Sequence, residues 1–258
     1  MTRHHFTFDC AGARLVASLD QAPGSTGLLL VTGGNEVRAG ARSGQAALAA
    51  QVAAAGFPVL RFDRRGCGDS EGVNAGYRAS GPDIAAALHA FRARCPHVTL
   101  VVGMGNCDAA SALMLAGGAG CDALLLSNPW IFEGDTGDRL RGHYTARMKD
   151  AAALKRLLSG RVALRPLLQS LFTAARGTRP PAGPTSELAR GLDRFAGPVR
   201  FLVAERDRTA QAFLSAWDPS DRRIMRCPGA SHAYVEPEAR AWLLDQVLEA
   251  LREANGAN

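Results

Sequence analysis

Cys107 lies in Gly105-Asn106-Cys107-Asp108-Ala109, between the apolar run VTLVV and a small-residue helical pattern, Ala109-Ala110-Ser111-Ala112. This reads as a nucleophile elbow, G-x-C-x-A, with a thiol in place of a hydroxyl. Small residues two before and two after the nucleophile let the chain turn tightly, and the helix behind it aims backbone N–H groups at a developing oxyanion. A helix N-terminus also stabilises thiolate, the reactive form of cysteine. The competing reading of Cys107 is a small buried residue, the usual place of a free cysteine. A second stretch, Gly68-Asp69-Ser70-Glu71-Gly72, fits G-x-S-x-G letter for letter. Its context does not fit: Arg64-Arg65-Gly66-Cys67 separates it from the strand FPVLRFD, and the turn-rich GVNAGYRASGP follows where a helix should start. Ser70 is therefore expected to be a loop residue.

A cysteine nucleophile needs a base to take its proton and an acid to orient that base. Asp207 follows the strand pattern VRFLVAE, and His232 follows RRIMRC in the loop Pro228-Gly229-Ala230-Ser231-His232, just before the last helix. Nucleophile, acid and histidine thus appear in chain order at three strand ends. His232 would take and return the proton, and Asp207 would fix its tautomer and stabilise imidazolium. For the oxyanion, one donor is assigned to the backbone N–H of Asp108. The other is assigned to Asn35 or Gly34, in the Gly-rich loop Thr32-Gly33-Gly34-Asn35. A tight turn would explain the same glycines. Glu36 and Arg38, next in that loop, either orient substrate or pair with each other. His143 and Tyr144 in RGHYTARMKD are candidate substrate contacts whose spacing equally suits helix packing or a rim, and Ser111 is read as helix packing.

The elements that must position these residues alternate. HHFTFDC and ARLVASL read as a hairpin, followed by the strand LLLV, a helix over about 43–55, the strand FPVLRFD and a helix over about 83–94. HVTLVVG, ALLLSNP, PVRFLVAE and RRIMRC are further strands, and an amphipathic helix closes the chain. Short continuous apolar strands alternating with helices imply an α/β fold, with a mostly parallel sheet covered on both faces. Residues 132–195 break the rhythm with helical patterns and the tail TRPPAGPTS, and are read as a helical lid inserted into a core made of 1–131 and 196–258.

At 258 residues, with a hydrophobic fraction of 47% and 21% charged residues, the chain has the size and balance of one soluble catalytic domain. Its net charge of +6 is concentrated, because residues 133–194 carry 12 Lys/Arg against 6 Asp/Glu. No nucleic-acid-binding motif accompanies that excess, so no nucleic-acid partner is expected. The segment is read as a solvated helical face or as an electropositive rim for an anionic substrate. The six cysteines show neither C-x-x-C nor metal-ligand spacing, so no metal or cofactor is expected. The N-terminal residues lack the apolar run of a signal peptide, and no segment has the roughly 18 consecutive apolar residues of a membrane span. A reducing cytoplasm is the expected compartment.

The stretch GFPVLRFDRRGCGDSEG resembles a loop widespread in α/β-hydrolases, D-x-R-G-x-G-x-S, in which the serine is not the nucleophile. TGGNEVRAG, GNCDAASA, SNPWIFEGDTGDRLRGHY, KRLLSGRV and GASHAY are similar, more specifically, to the first of the two hydrolases associated with exosortase A systems. The resemblance spans nearly the whole chain. It implies an α/β-hydrolase fold, with Cys107 as nucleophile and Asp108 as oxyanion donor, in bacteria that export polysaccharide and sort proteins by a C-terminal signal. This chain has Ala109 where that family usually has Gly, and Asn35-Glu36 where it tends to have Pro-Gln.

The expected function is cofactor-free cleavage of an ester or thioester through an acyl-thioenzyme, on a small-molecule and anionic acyl substrate. Two alternatives stand beside it. One is an acyltransferase that passes the same acyl group to a sugar or amine; the other is a non-catalytic scaffold of the export machinery.

Overall fold

The computed structural model describes residues 2–132 and 184–256. The chain divides into two compact units, one of Met1–Ile131 with Thr185–Asn258 and the other of Phe132–Pro184. The elements below belong to the first.

Strands β1 (Arg3–Cys10) and β2 (Ala13–Asp20) form the expected hairpin, paired from Arg3↔Asp20 to Cys10↔Ala13 around a two-residue turn. Strands β3 (Thr26–Val31), β4 (Val59–Phe62), β5 (Leu100–Asn106) and β6 (Ala123–Ser127) form the centre of the sheet. Their residues are buried almost throughout, which is why they read as continuous apolar runs and do not alternate. Strands β7 (Val199–Ala204) and β8 (Ile224–Cys227) complete a sheet of eight described strands, in the order β1-β2-β4-β3-β5-β6-β7-β8. β1 pairs antiparallel with β2, and β2 with β4; every later pairing is parallel. The C-terminal ends of β3, β5, β6, β7 and β8 therefore lie along one edge, where ligands of open α/β sheets bind.

Helices α1 (Gly44–Ala54), α2 (Gly81–Arg94) and α3 (Asp108–Leu115) follow β3, β4 and β5 in the chain. Helix α4 (Pro184–Leu192) precedes β7, α5 (Arg208–Ala216) follows it, and α6 (Pro237–Gly256) closes the fold. One core joins Leu48 and Val52 of α1, Val247 and Leu251 of α6, and the strand residues Leu28, Leu30, Val102, Met104 and Leu125. A smaller cluster of Ala204, Cys227, Ala230, Tyr234 and Ala239 sits under the loop after β8. There the Tyr234 ring stacks on Trp242, with centroids 6.1 Å apart.

The lid expectation for 132–195 changes at its C-terminal side. Thr185–Phe195 belongs to the first unit, because Leu188 and Leu192 of α4 are buried and Arg194 donates to the Leu115 carbonyl at the end of α3. Helix α5 answers to no expected element. It forms because Asp207 caps it, accepting the Ala210 N–H at 3.1 Å, and because its apolar face packs Phe213 against Phe201 and Trp217.

Candidate active site

Cys107 sits in a strand–turn–helix connection. β5 runs to Asn106, α3 starts at Asp108, and Cys107 between them takes φ 61° and ψ −125°. A non-glycine residue pays for this backbone with strain, and such strain concentrates at functional turns. The turn closes because Gly105 has no side chain: a Cβ there would lie 2.6 Å from the Ala109 carbonyl carbon and 2.7 Å from the Ala110 nitrogen. Backbone bonds from Cys107 N–H to the Ser127 carbonyl (2.9 Å) and from Trp130 N–H to the Cys107 carbonyl (3.3 Å) fix the turn to the end of β6. Cys107 is also set apart from the other cysteines. Cys10, Cys67, Cys95, Cys121 and Cys227 are buried while Cys107 is partly exposed, and all six are free. Burial pushes each of those five thiols up, Cys121 to about 12, which suppresses their thiolates.

Asp207 and His232 meet at the same edge. His232 Nδ1 lies 2.9 Å from Asp207 Oδ2, a bond in which the ring N–H donates to the carboxylate. The Arg206 N–H donates to the Ala230 carbonyl at 3.0 Å and the Glu205 N–H to the Cys227 carbonyl at 3.2 Å, which ties the aspartate loop to the histidine loop. Burial disfavours the charged ring, but hydrogen bonds from His232 to Asp207 and to Cys107, with the charges on both, outweigh it and push its pKa up to about 10. The imidazolium form is thus favoured beside sulfur.

The Gly-rich loop serves a purpose its letters do not show. Gly34 N–H donates to both carboxylate oxygens of Asp108, at 2.8 and 2.9 Å. It is therefore committed to that carboxylate and is not free to serve as an oxyanion donor. The Asp108 side chain is buried and lies 3.9 Å from the Arg64 guanidinium, which itself donates to the Gly34 carbonyl at 2.6 Å and to Ser80 Oγ at 2.7 Å. A buried carboxylate thus straps the loop after β3 to the first residue of α3. Gly33 leaves room for the strap, since a Cβ there would meet Asp108 Oδ1 at 2.4 Å.

Glu36 and Arg38 do not pair with each other. Arg38 bonds Asp63 through its backbone and its guanidinium, reaches Asp69 at 2.8 Å, and donates from Nε to Ser18 at 3.1 Å. These partners hold its Nε and Nη1 within the loop. Glu36 accepts from the Ala41 N–H at 2.6 Å and from Gln45 Nε2 at 3.1 Å. Burial pushes its carboxyl up, with these hydrogen bonds and the His232 charge opposing. It lines a cavity of about 140 Å³, shared with Gln45 and Gln51 of α1, Asn106 of the elbow, and Tyr234 and Val235 beyond His232. Neither Cys107 nor His232 lines that cavity, so it adjoins the candidate site without being its centre.

Ser70 is bound into its loop, donating to the Asp63 carbonyl at 2.7 Å and accepting from Val16 N–H at 2.9 Å. Ser111, buried, donates to the Trp130 carbonyl at 2.7 Å. His143 and Tyr144 lie outside the described residues. Sequence reasoning missed the Asp108 carboxylate and the side chains of Asn106 and Asn128. Asn128 Nδ2 donates to Asn106 Oδ1 at 2.9 Å, and both amides reach the His232 carbonyl, at 3.3 and 3.2 Å. Among the described residues no cluster of three or more His, Cys, Asp or Glu could hold a metal ion, and no helix is long and apolar enough to cross a membrane.

Residues 28–246 match the model of the alpha/beta hydrolase family. No curated protein matches the sequence. Among solved structures, an esterase from Pyrococcus furiosus superposes with a TM-score of 0.67 at 14% identity, covering 98% of this chain and 91% of that one. Est1E from Butyrivibrio proteoclasticus, solved with ferulic acid bound, gives a TM-score of 0.59 at 16% identity and covers 97% of this chain and 99% of that chain. A proline iminopeptidase from Mycobacterium smegmatis gives 0.61 at 18% identity, covering 98% and 99%. At these identities the likeness concerns the fold.

Proposed function

Because the chain belongs to the alpha/beta hydrolase family, we propose that it is a cysteine-dependent hydrolase that cleaves an ester or thioester through an acyl-thioenzyme. The observation that carries the proposal is the strained backbone of Cys107 at the β5–α3 turn, beside a histidine hydrogen-bonded to Asp207. The Cys107 thiolate attacks the acyl carbon and forms the C–S bond. The N–H groups of Asp108 and Asn35 receive the oxyanion. Collapse breaks the bond to the leaving group, which takes its proton from the His232 imidazolium. Neutral His232 then removes a proton from water, which attacks the thioester carbonyl; collapse releases the acid and restores the sulfur. Asp207 holds the ring orientation and the charge through this cycle.

A thiol nucleophile suits thioesters and activated esters. The 12 Lys/Arg against 6 Asp/Glu in residues 133–194 suit an anionic acyl carrier or a sugar acid. We read the resemblance of GNCDAASA and SNPW to the exosortase A-associated hydrolases as support for a role in exopolysaccharide export, and the free cysteines suit a reducing cytoplasm. The test is steady-state release of acid from a panel of short acyl thioesters and aryl esters, for the parent and Cys107→Ala. Turnover in the parent that falls at least ~10³-fold in the variant is expected. Equal turnover by both refutes the thiol mechanism. An acyl-enzyme that persists in water and discharges only when a sugar or amine is added moves the assignment to acyl transfer.

A further inference from the structure

Asn128 follows β6 in Ser127-Asn128-Pro129-Trp130, and no catalytic step above uses it. It is fully buried and holds φ 43°, a left-handed conformation that asparagine adopts more readily than most residues. Its polar groups reach every element that carries a member of the proposed triad. Its N–H donates to the Leu202 carbonyl of β7 at 3.0 Å. Its Oδ1 accepts from the N–H of Ala204, three residues before Asp207, at 2.9 Å. Its Nδ2 donates to Oδ1 of Asn106, the neighbour of Cys107, at 2.9 Å and to the His232 carbonyl at 3.3 Å. Asn106 Nδ2 donates to that same carbonyl at 3.2 Å.

We infer that Asn128 and Asn106 are positioning residues that fix the His232 imidazole against Cys107 and Asp207, an inference resting on the triad reading. Among the described residues, the two amides are what holds the His232 carbonyl, and the imidazole is carried by that same backbone. Each amide also bonds the other, so rotation would cost Asn106 two contacts and Asn128 three. The pair links the ends of β5, β6 and β7 to the loop after β8, so a shift of one strand end moves the others with it. Core packing alone would need neither the convergence of two donors on the histidine's own carbonyl nor the left-handed backbone that aims one of them. Misplacement of a catalytic group by about 1 Å costs on the order of 10²-fold in rate.

Two variants separate positioning from packing. Asn128→Asp keeps an oxygen to accept the Ala204 N–H but presents an acceptor to the His232 carbonyl. Asn106→Ala removes one donor from a strand residue and decides alone if Asn128→Asp does not fold. Alkylation of Cys107 by iodoacetamide, read by peptide mass from pH 5 to 9, is compared for the parent, His232→Ala and both asparagine variants, with kcat, KM and Tm for each. His232→Ala should alkylate more slowly than the parent over that range, because the thiol has lost the imidazole that takes its proton. The asparagine variants should move toward the His232→Ala profile, with kcat lowered about 10²-fold, KM little changed and cooperative unfolding retained. If they keep the parent's alkylation profile and kcat while His232→Ala loses both, the positioning inference is overturned and the triad stands. If the parent and His232→Ala give the same profile, the triad reading falls and this inference falls with it.

Discussion

Gly33→Ala tests the carboxylate strap between the oxyanion loop and the elbow. A Cβ on residue 33 would lie 2.4 Å from Asp108 Oδ1 and 3.0 Å from the Asn106 carbonyl oxygen. The first gap must open by at least 0.6 Å to reach 3.0 Å, still a tight contact for a Cβ. Moving the carboxylate that far lengthens its bonds to the Gly34 N–H, now 2.8 and 2.9 Å, beyond useful hydrogen-bond range. What is lost is one charge-assisted hydrogen bond in a buried site, about 1.5–3 kcal/mol. With a urea m-value of about 2 kcal/mol/M, the midpoint should fall by about 1 M. Catalysis should fall as well, by about 10²-fold, because the Asn35 donor rides on the displaced loop. Asp108→Ala closes a double-mutant cycle: with the carboxylate gone, adding Gly33→Ala should cost less than it does in the parent, with a coupling above about 0.5 kcal/mol. A Gly33→Ala protein within about 0.5 kcal/mol of the parent, or strictly additive costs, would refute the strap.

Three further changes separate catalytic from structural groups. Asp207→Asn keeps an oxygen for the Ala210 N–H but cannot stabilise imidazolium, so kcat should drop by about 10⁴ with little change in Tm; activity within tenfold of the parent contradicts the acid's role. Ser70→Ala removes a donor to the Asp63 carbonyl and an acceptor for Val16. It should cost about 1–2 kcal/mol in urea unfolding and leave kcat/KM near the parent's, whereas loss of acyl-enzyme formation would restore Ser70 as a nucleophile. Glu36 holds its proton to a higher pH when folded, chiefly through burial. The native state then binds more protons than the unfolded state as pH rises from the ordinary value of 4.5, and Glu36 contributes less stability as that window is crossed. Glu36→Gln cannot titrate, so its urea midpoint should gain on the parent's from pH 4 to 7; a constant offset contradicts the assignment.

The fold was legible because buried parallel strands are written as apolar runs, and LLLV, VTLVV and ALLLS leave little choice. The order Cys107, Asp207, His232 was legible for a related reason, since each lies within a few residues of a strand pattern, His232 four loop residues past RRIMRC. β5 extends through Gly103-Met104-Gly105-Asn106, three residues past VTLVVG, because those glycines let neighbouring chain pack closely where β-propensity alone would end the strand. Helix α4 is hidden by the Pro/Gly-rich letters before it, and α5 by a short amphipathic stretch whose start signal, Asp207, reads equally as a catalytic acid. Asp207 both caps α5 and bonds His232. Arg38 follows the Gly-rich loop, but its partners Asp63 and Asp69 are set by how two loops meet, which no local pattern shows. The Asn128 contacts were out of reach for the same reason. They span 22 and 104 residues and depend on a positive φ that no local pattern announces.

The central claim is that the chemistry belongs to the thiol of Cys107. Intact-mass analysis after brief incubation with an activated thioester or aryl ester, on the parent, Cys107→Ala and Ser70→Ala, tests it directly. One acyl adduct is expected on the parent and on Ser70→Ala, mapped to the peptide bearing Cys107, and none on Cys107→Ala. An adduct that survives in Cys107→Ala, or one lost only in Ser70→Ala, would contradict it.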